Sequence, residues 1–132
     1  FTGIPSWVKR ITVMFSGVST NGTSIIQVQL GAGSLTTSGY VSGASINATN
    51  LSSTTGLIVS PAVTAADVRY GVMTIANVSG NTWVMGATVG VSSNCGLSSG
   101  NIALSGTLDR IRVTTVNGTD TFDAGSINIM YE

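Results

Sequence analysis

The chain has no histidine, a single cysteine and only ten charged residues among 132. Each shortage closes off some chemistry. Without imidazole there is no histidine-built zinc site and no Ser-His or Cys-His nucleophilic catalysis. A lone Cys95 excludes an internal disulfide. Charged residues make up 8% of the chain, against roughly 25% in an ordinary globular protein. The formal net charge is zero and no basic stripe is present, so neither nucleic acid nor an anionic membrane surface is an expected partner. No apolar run approaches the ~20 residues of a transmembrane helix, so membrane insertion is not expected, and no signal peptide is visible.

In place of charge the chain carries 18 Ser, 18 Thr, 17 Gly and nine Asn. A hydrophobic fraction of 42% separates it from a disordered polar tract. Val, Ile and Leu in short runs are the material of strands. The length predicts one domain spanning 1–132 with a real core. A start at Phe1 without Met predicts a piece of a longer protein whose remainder lies N-terminal.

Eight of the ten charges fall in the first ten or last twenty-four positions, leaving only Asp67 and Arg69 between Ile11 and Leu108. The expected strands are short and broken by Gly, Asn and Ser clusters, as in antiparallel proteins. Trp7–Phe15 places Trp7, Ile11, Val13 and Phe15 on one face. Asn21-Gly22 signals a tight turn, and Ser24–Leu30 sets Ile26, Val28 and Leu30 opposite Gln27 and Gln29. Weaker strands are expected at 39–41 and 56–60. Better ones run over Arg69–Val78 and Thr82–Val91 about a turn at 79–81, with a short one at 102–104. The chain ends on a pair, Leu108–Thr115 and Ala124–Tyr131, joined by the loop 116–123. The one helical turn is expected between Pro61 and Val68.

This pattern predicts an all-β, antiparallel β-sandwich of jelly-roll type. The first and last strands are expected in the same sheet, with their basic and acidic side chains paired across it. A middle with almost no charge on its outward positions predicts an obligate homo-oligomer, because permanent interfaces are depleted in charge.

The opening Phe1-Thr-Gly-Ile-Pro-Ser-Trp-Val-Lys-Arg-Ile-Thr-Val and the closing stretch from Gly106-Thr-Leu-Asp-Arg-Ile-Arg-Val to Ile129-Met-Tyr-Glu resemble the C-terminal domains of tailed-bacteriophage tail fibres, including those of phages infecting Acinetobacter. The resemblance is specific over 1–15 and 106–132 and generic between. It implies a trimeric all-β domain at the distal end of the fibre in the virion, attached to the N-terminal remainder of the fibre. Its implied role is to recognise a host-surface polysaccharide by non-covalent, multivalent contacts, with no cofactor and no enzymatic step.

A sugar site needs aromatic faces for stacking and amide, hydroxyl or charged groups for its hydroxyls. Trp83, Tyr40 and Tyr70, with Asn81, Asp67 and Arg69, are the candidates. The competing expectation makes Trp83 a core or interface residue and Asp67–Arg69 a local ion pair. Asp120 and Asp123 in one loop, with Asp109 on a neighbouring strand, are the carboxylates to weigh for a capsule depolymerase, and Asp120 and Asp123 with loop carbonyls for a Ca²⁺ site. However, Asn117-Gly118-Thr119-Asp120 is ordinary turn chemistry, so neither a catalytic residue nor a metal is expected. Sequons begin at Asn21, Asn47, Asn50, Asn77 and Asn117 and arise readily in so polar a chain. A structural trimerisation cap is the alternative function.

Overall fold

The computed structural model describes residues 1–61 and 64–132. Among these residues the chain is all-β, with no helix. The strands are β1 (Arg10–Thr20), β2 (Ile26–Ala32), β3 (Ser34–Leu35), β4 (Val41–Ile46), β5 (Thr49–Ser53) and β6 (Leu57–Ile58). They continue with β7 (Arg69–Ser79), β8 (Thr82–Val91), β9 (Asn94–Ala103), β10 (Arg110–Thr115) and β11 (Phe122–Tyr131). A seven-stranded sheet runs in the order β11-β1-β7-β8-β9-β4-β5; a smaller one runs β10-β2-β3, with β6 also on β2. All pairings are antiparallel.

The core lies between the sheets. Ile11, Val13 and Phe15 of β1, Met73 and Ile75 of β7, and Trp83, Met85 and Val89 of β8 meet Val28 and Leu30 of β2 and Ile111 of β10. The alternation of β1 and β2 sends these residues inward for the reason the pattern suggests: side chains of successive residues leave opposite faces of a strand. Gln27 and Gln29 occupy the outward positions of β2, yet both are buried. The 53–56 segment covers them: Gln29 Nε2 donates to the Thr55 carbonyl at 2.7 Å, and Thr55 Oγ1 donates to Gln27 Oε1 at 3.1 Å.

The first and last strands are neighbours, paired from Ile11↔Tyr131 to Thr20↔Phe122. At their open end Arg10 Nε donates to Glu132 Oε1 at 2.8 Å, the cross-strand charge pair expected of these termini. Both side chains are about half exposed, so the pair is worth under ~1 kcal/mol and chiefly marks register.

Other expectations are corrected. β10 and β11 do not form a hairpin: β10 pairs with β2 while β11 pairs with β1. The loop between them crosses from one sheet to the other, because Ile111 and Ile127 both have apolar surface to bury from opposite sides of the core. Likewise Asn21-Gly22 does not turn β1 onto β2, which lie in different sheets. Trp7 precedes β1 and is 62% exposed rather than core-facing. It covers the end of β11, its ring 6.1 Å from that of Tyr131.

Two of the weak strands of the middle are longer than expected, while the one expected at 56–60 is only Leu57–Ile58. β4–β5 is a hairpin, and β9 runs ten residues rather than three. The inward positions of β9 are Gly96, Ser98, Gly100 and Ile102, so its buried face is built of small residues that carry no hydrophobic signal. The helical turn expected over 61–68 falls partly outside the described residues. Within them, 64–67 forms a turn closed by the Asp67 N–H and the Thr64 carbonyl at 3.1 Å.

Candidate functional site

The six candidate residues do not gather in one place. Tyr40 is buried, at 1% exposure. Its hydroxyl accepts the Leu30 N–H at 2.8 Å and faces the Thr36 carbonyl at 3.0 Å. It therefore bolts β4 to β2 and its ring is not offered to solvent. Burial pushes its hydroxyl pKa above the ordinary tyrosine value, against the smaller effect of the Leu30 bond. Trp83 is also buried, since β8 begins at Thr82 and alternation turns Trp83 inward with Met85, Ala87 and Val89. Asn81 lies in the β7–β8 turn, where its carbonyl accepts the Leu104 N–H at 3.0 Å.

Asp67, Arg69 and Tyr70 sit at the other end of the same hairpin. With about 3.3 Å of rise per residue along the ten residues of β8, the two ends are roughly 30 Å apart. Arg69 is buried and supports the loop from beneath, donating through Nη1 to the Asp67 carbonyl oxygen at 3.1 Å. Burial lowers its pKa, partly offset by the Asp67 charge. The contact thus runs to the Asp67 backbone as well as through the field of its carboxylate. Asp67 itself binds Thr64 through Oδ2, accepting the Thr64 N–H at 3.2 Å and the Thr64 hydroxyl.

Three turns meet at this end. The β4–β5 connection is Asn47-Ala48, both with positive φ, 44° and 63°, the geometry of a two-residue type I′ hairpin. The β8–β9 connection carries Ser92 at φ 53°, and the Ser92 N–H reaches the Val68 carbonyl at 3.0 Å, joining it to the segment before β7. Between these turns lies a hollow of about 210 Å³, lined by residues including Asn47, Thr49, Asp67, Ser92 and Asn94 with Ile46 and Val91 at its floor. Beside it, Tyr70 is 48% exposed, its ring lying along Gly90 and its hydroxyl donating to the Ser92 carbonyl at 2.5 Å. An exposed ring next to amide, hydroxyl and carboxylate groups can stack on a pyranose and bond its hydroxyls.

The larger cleft, about 450 Å³, opens between β10 and β11 and is lined by Phe1, Leu35, Ile111, Val113, Phe122 and Ile127 with Arg110 and Arg112. It is apolar, and both guanidinium groups are engaged: Arg110 donates to Asp109, and Arg112 to Gln29 Oε1. The three carboxylates of the last strands are likewise tied into the fold. Asp109 accepts from Arg110 and the Gly33 N–H; Asp120 accepts from Asn117 Nδ2 at 2.7 Å and the Ser24 N–H at 2.8 Å; Asp123 accepts from the Ser19 hydroxyl at 2.5 Å. The Arg110 bond holds Asp109 below the usual carboxylate range, and the Asn117 bond does the same for Asp120. Among the described residues no three acidic or cysteine side chains cluster closely enough to hold a metal ion.

Sequence reasoning singled out Asp67, Arg69 and Tyr70 from their charge and aromatic character, and these three are brought together. It missed Asn47, Thr49, Ser92 and Asn94, whose grouping depends on three turns far apart in the chain. The burial of Trp83 was legible in the alternation Trp83-x-Met85-x-Ala87-x-Val89. No protein family, curated protein or solved structure matches the chain.

Proposed function

We propose that this chain is a non-enzymatic attachment domain of the phage tail-fibre kind, a jelly-roll-type sandwich acting as a homotrimer, that holds a host-surface polysaccharide at the Tyr70 end. The observation that carries this proposal is the exposed Tyr70 ring, fixed by Ser92 beside a hollow of neutral polar groups and one carboxylate. Such a surface suits an uncharged or weakly charged sugar. The segments that resemble tail fibres contribute the adjacent strands β1 and β11 of the large sheet and β10 of the small one, with Thr2 bridged to Arg110. Binding at each site is weak and gains from repetition: linking sites raises avidity by ~10²–10⁴. The capsule-depolymerase alternative is disfavoured because Asp109, Asp120 and Asp123 each serve a structural bond.

The test is adsorption. Labelled domain and its Tyr70→Ala variant are offered to Acinetobacter cells and to a panel of purified bacterial surface polysaccharides, with phage adsorption measured alongside. Labelling and competition by the wild type, reduced in the variant, support the proposal. A domain that labels no cells and leaves phage adsorption unchanged is a structural cap instead, the second reading favoured by its uncharged sheet face. Release of reducing sugar would reveal a depolymerase.

A further inference from the structure

Strands β7, β8, β9, β4 and β5 together carry one charged residue, Arg69, and it is buried. The outward face they share therefore has no charge of its own, and the register orders it into rows. Across the middle, Thr74, Gly86, Ser99 and Gly43 are successive cross-strand partners, giving a lane of small side chains. On one side Val72, Thr88, Leu97 and Ser45 form the next row; on the other stand Val84, Asn101 and Val41. Leu97 is 62% exposed and Val41 68%. Two shallow hollows of about 370 and 350 Å³ flank Leu97, which lines both.

A knob between two hollows, above a lane of small residues, fits a surface of the same kind. We propose that this face is buried against further copies of the chain, Leu97 of one copy seating on the small-residue lane of another. Two features favour a second copy over a different protein. Contacts between unlike proteins use complementary charge to choose a partner, whereas identical faces meeting about an axis gain from having no charge to repel. The size is also right. The five strands of this face, about 4.8 Å apart and about eight residues long at roughly 3.3 Å rise, make an area of about 630 Å², and stable interfaces take about 600 to 1,000 Å² from each partner. The charged pair Arg10–Glu132 stands beyond the β7 end of the Val84 row, where Arg10 of β1 is the cross-strand partner of Ala76, outside the five uncharged strands. The inference rests on the oligomeric part of the proposed function and not on its glycan part.

The mass in solution decides it. Light scattering and sedimentation of the wild-type chain at micromolar concentrations are expected to give two or three times the 13.4 kDa of one chain. Leu97→Lys and, separately, Val72→Lys are expected to weaken association by at least about 100-fold, since an unpaired ammonium would be buried. Phe122→Lys, in the cleft beside β10, is expected to leave the mass unchanged. Circular dichroism confirms that each variant keeps its strands. A monomeric wild type overturns the proposal, and so does an oligomer that withstands both lysines or that dissociates only with Phe122→Lys. Binding of the same variants to host cells is followed in parallel. A monomeric Leu97→Lys that still binds weakly separates the interface from the glycan site, and a wild type that associates but binds nothing upholds the interface alone.

Discussion

The Tyr70 ring lies flat along Gly90, its cross-strand partner, so closely that a Cβ on Gly90 would stand 2.2 Å from Tyr70 Cε2. The pairing fixes the direction of the ring, and the Ser92 carbonyl fixes its tip. Gly90→Ala is therefore expected to lift the ring and cut glycan binding as strongly as Tyr70→Ala, by roughly tenfold or more, which is about the 1.4 kcal/mol of a modest stacking contact. Tyr70→Phe keeps the ring and loses only the Ser92 bond, so its binding should fall between. Titrations of the three variants against the polysaccharide bound by the wild type give the order. Equal binding by all of them would remove Tyr70 from the site.

Ala48 holds φ 63° in the two-residue β4–β5 turn, a conformation that costs a residue with a Cβ about 1–2 kcal/mol. Ala48→Gly relieves that cost and forfeits part of the gain to the greater freedom of the unfolded chain. A net stabilisation of up to about 1 kcal/mol is expected, seen as a melting temperature a few degrees higher. A lower melting temperature would show that the methyl group makes a contact worth more than the strain.

Asp120 links the 116–121 loop to the segment after β1 through the Ser24 N–H. Its folded pKa is depressed, first by Asn117 and then by Ser24, so its contribution is complete above the ordinary carboxylate pKa. That contribution is lost as pH falls through the lower, folded value. The protection of the Ser24 amide, its exchange corrected for the intrinsic pH dependence, should fall on acidification over that window, and Asp120→Ala, which has no acceptor there, should lack that protection at every pH. Gly22 offers a second check: its Cβ would fall 2.1 Å from Asp120 Oδ2, so Gly22→Ala is expected to release the same contact at neutral pH.

Tyr40→Phe removes a buried hydroxyl that serves the Leu30 N–H and the Thr36 carbonyl. Leaving those groups unpaired should cost about 1–3 kcal/mol, measured by denaturant unfolding, with no change in glycan binding. Loss of binding with unchanged stability would contradict the structural role given to this side chain.

Much of the frame was legible in the sequence because β1, β7, β8, β10 and β11 alternate apolar and polar residues strongly enough to fix face and period. The adjacency of the chain ends was legible too, since Arg10 and Glu132 gave the terminal strands opposite charges to pair. β9 and the β4–β5 hairpin were not legible: Gly96, Ser98 and Gly100 fill narrow inward positions without hydrophobicity, and only neighbouring strands on both sides make them a strand. Of the candidate site, Tyr70 and Asp67 announced themselves by type. Asn47, Ser92 and Asn94 joined them only through turns that tertiary contacts bring to one end.

The sequence by itself determined the chemistry this protein does without, having no histidine, hardly any charge and one thiol, and it determined that the chain folds as short antiparallel strands. Only the tertiary structure decided which sheet each strand joins, why Gln27 and Gln29 are buried on an outward face, and where the uncharged residues line up. The reason is that alternation is a local property, set by each strand's own backbone, whereas strand partners and shared faces depend on pairings between residues far apart in the chain.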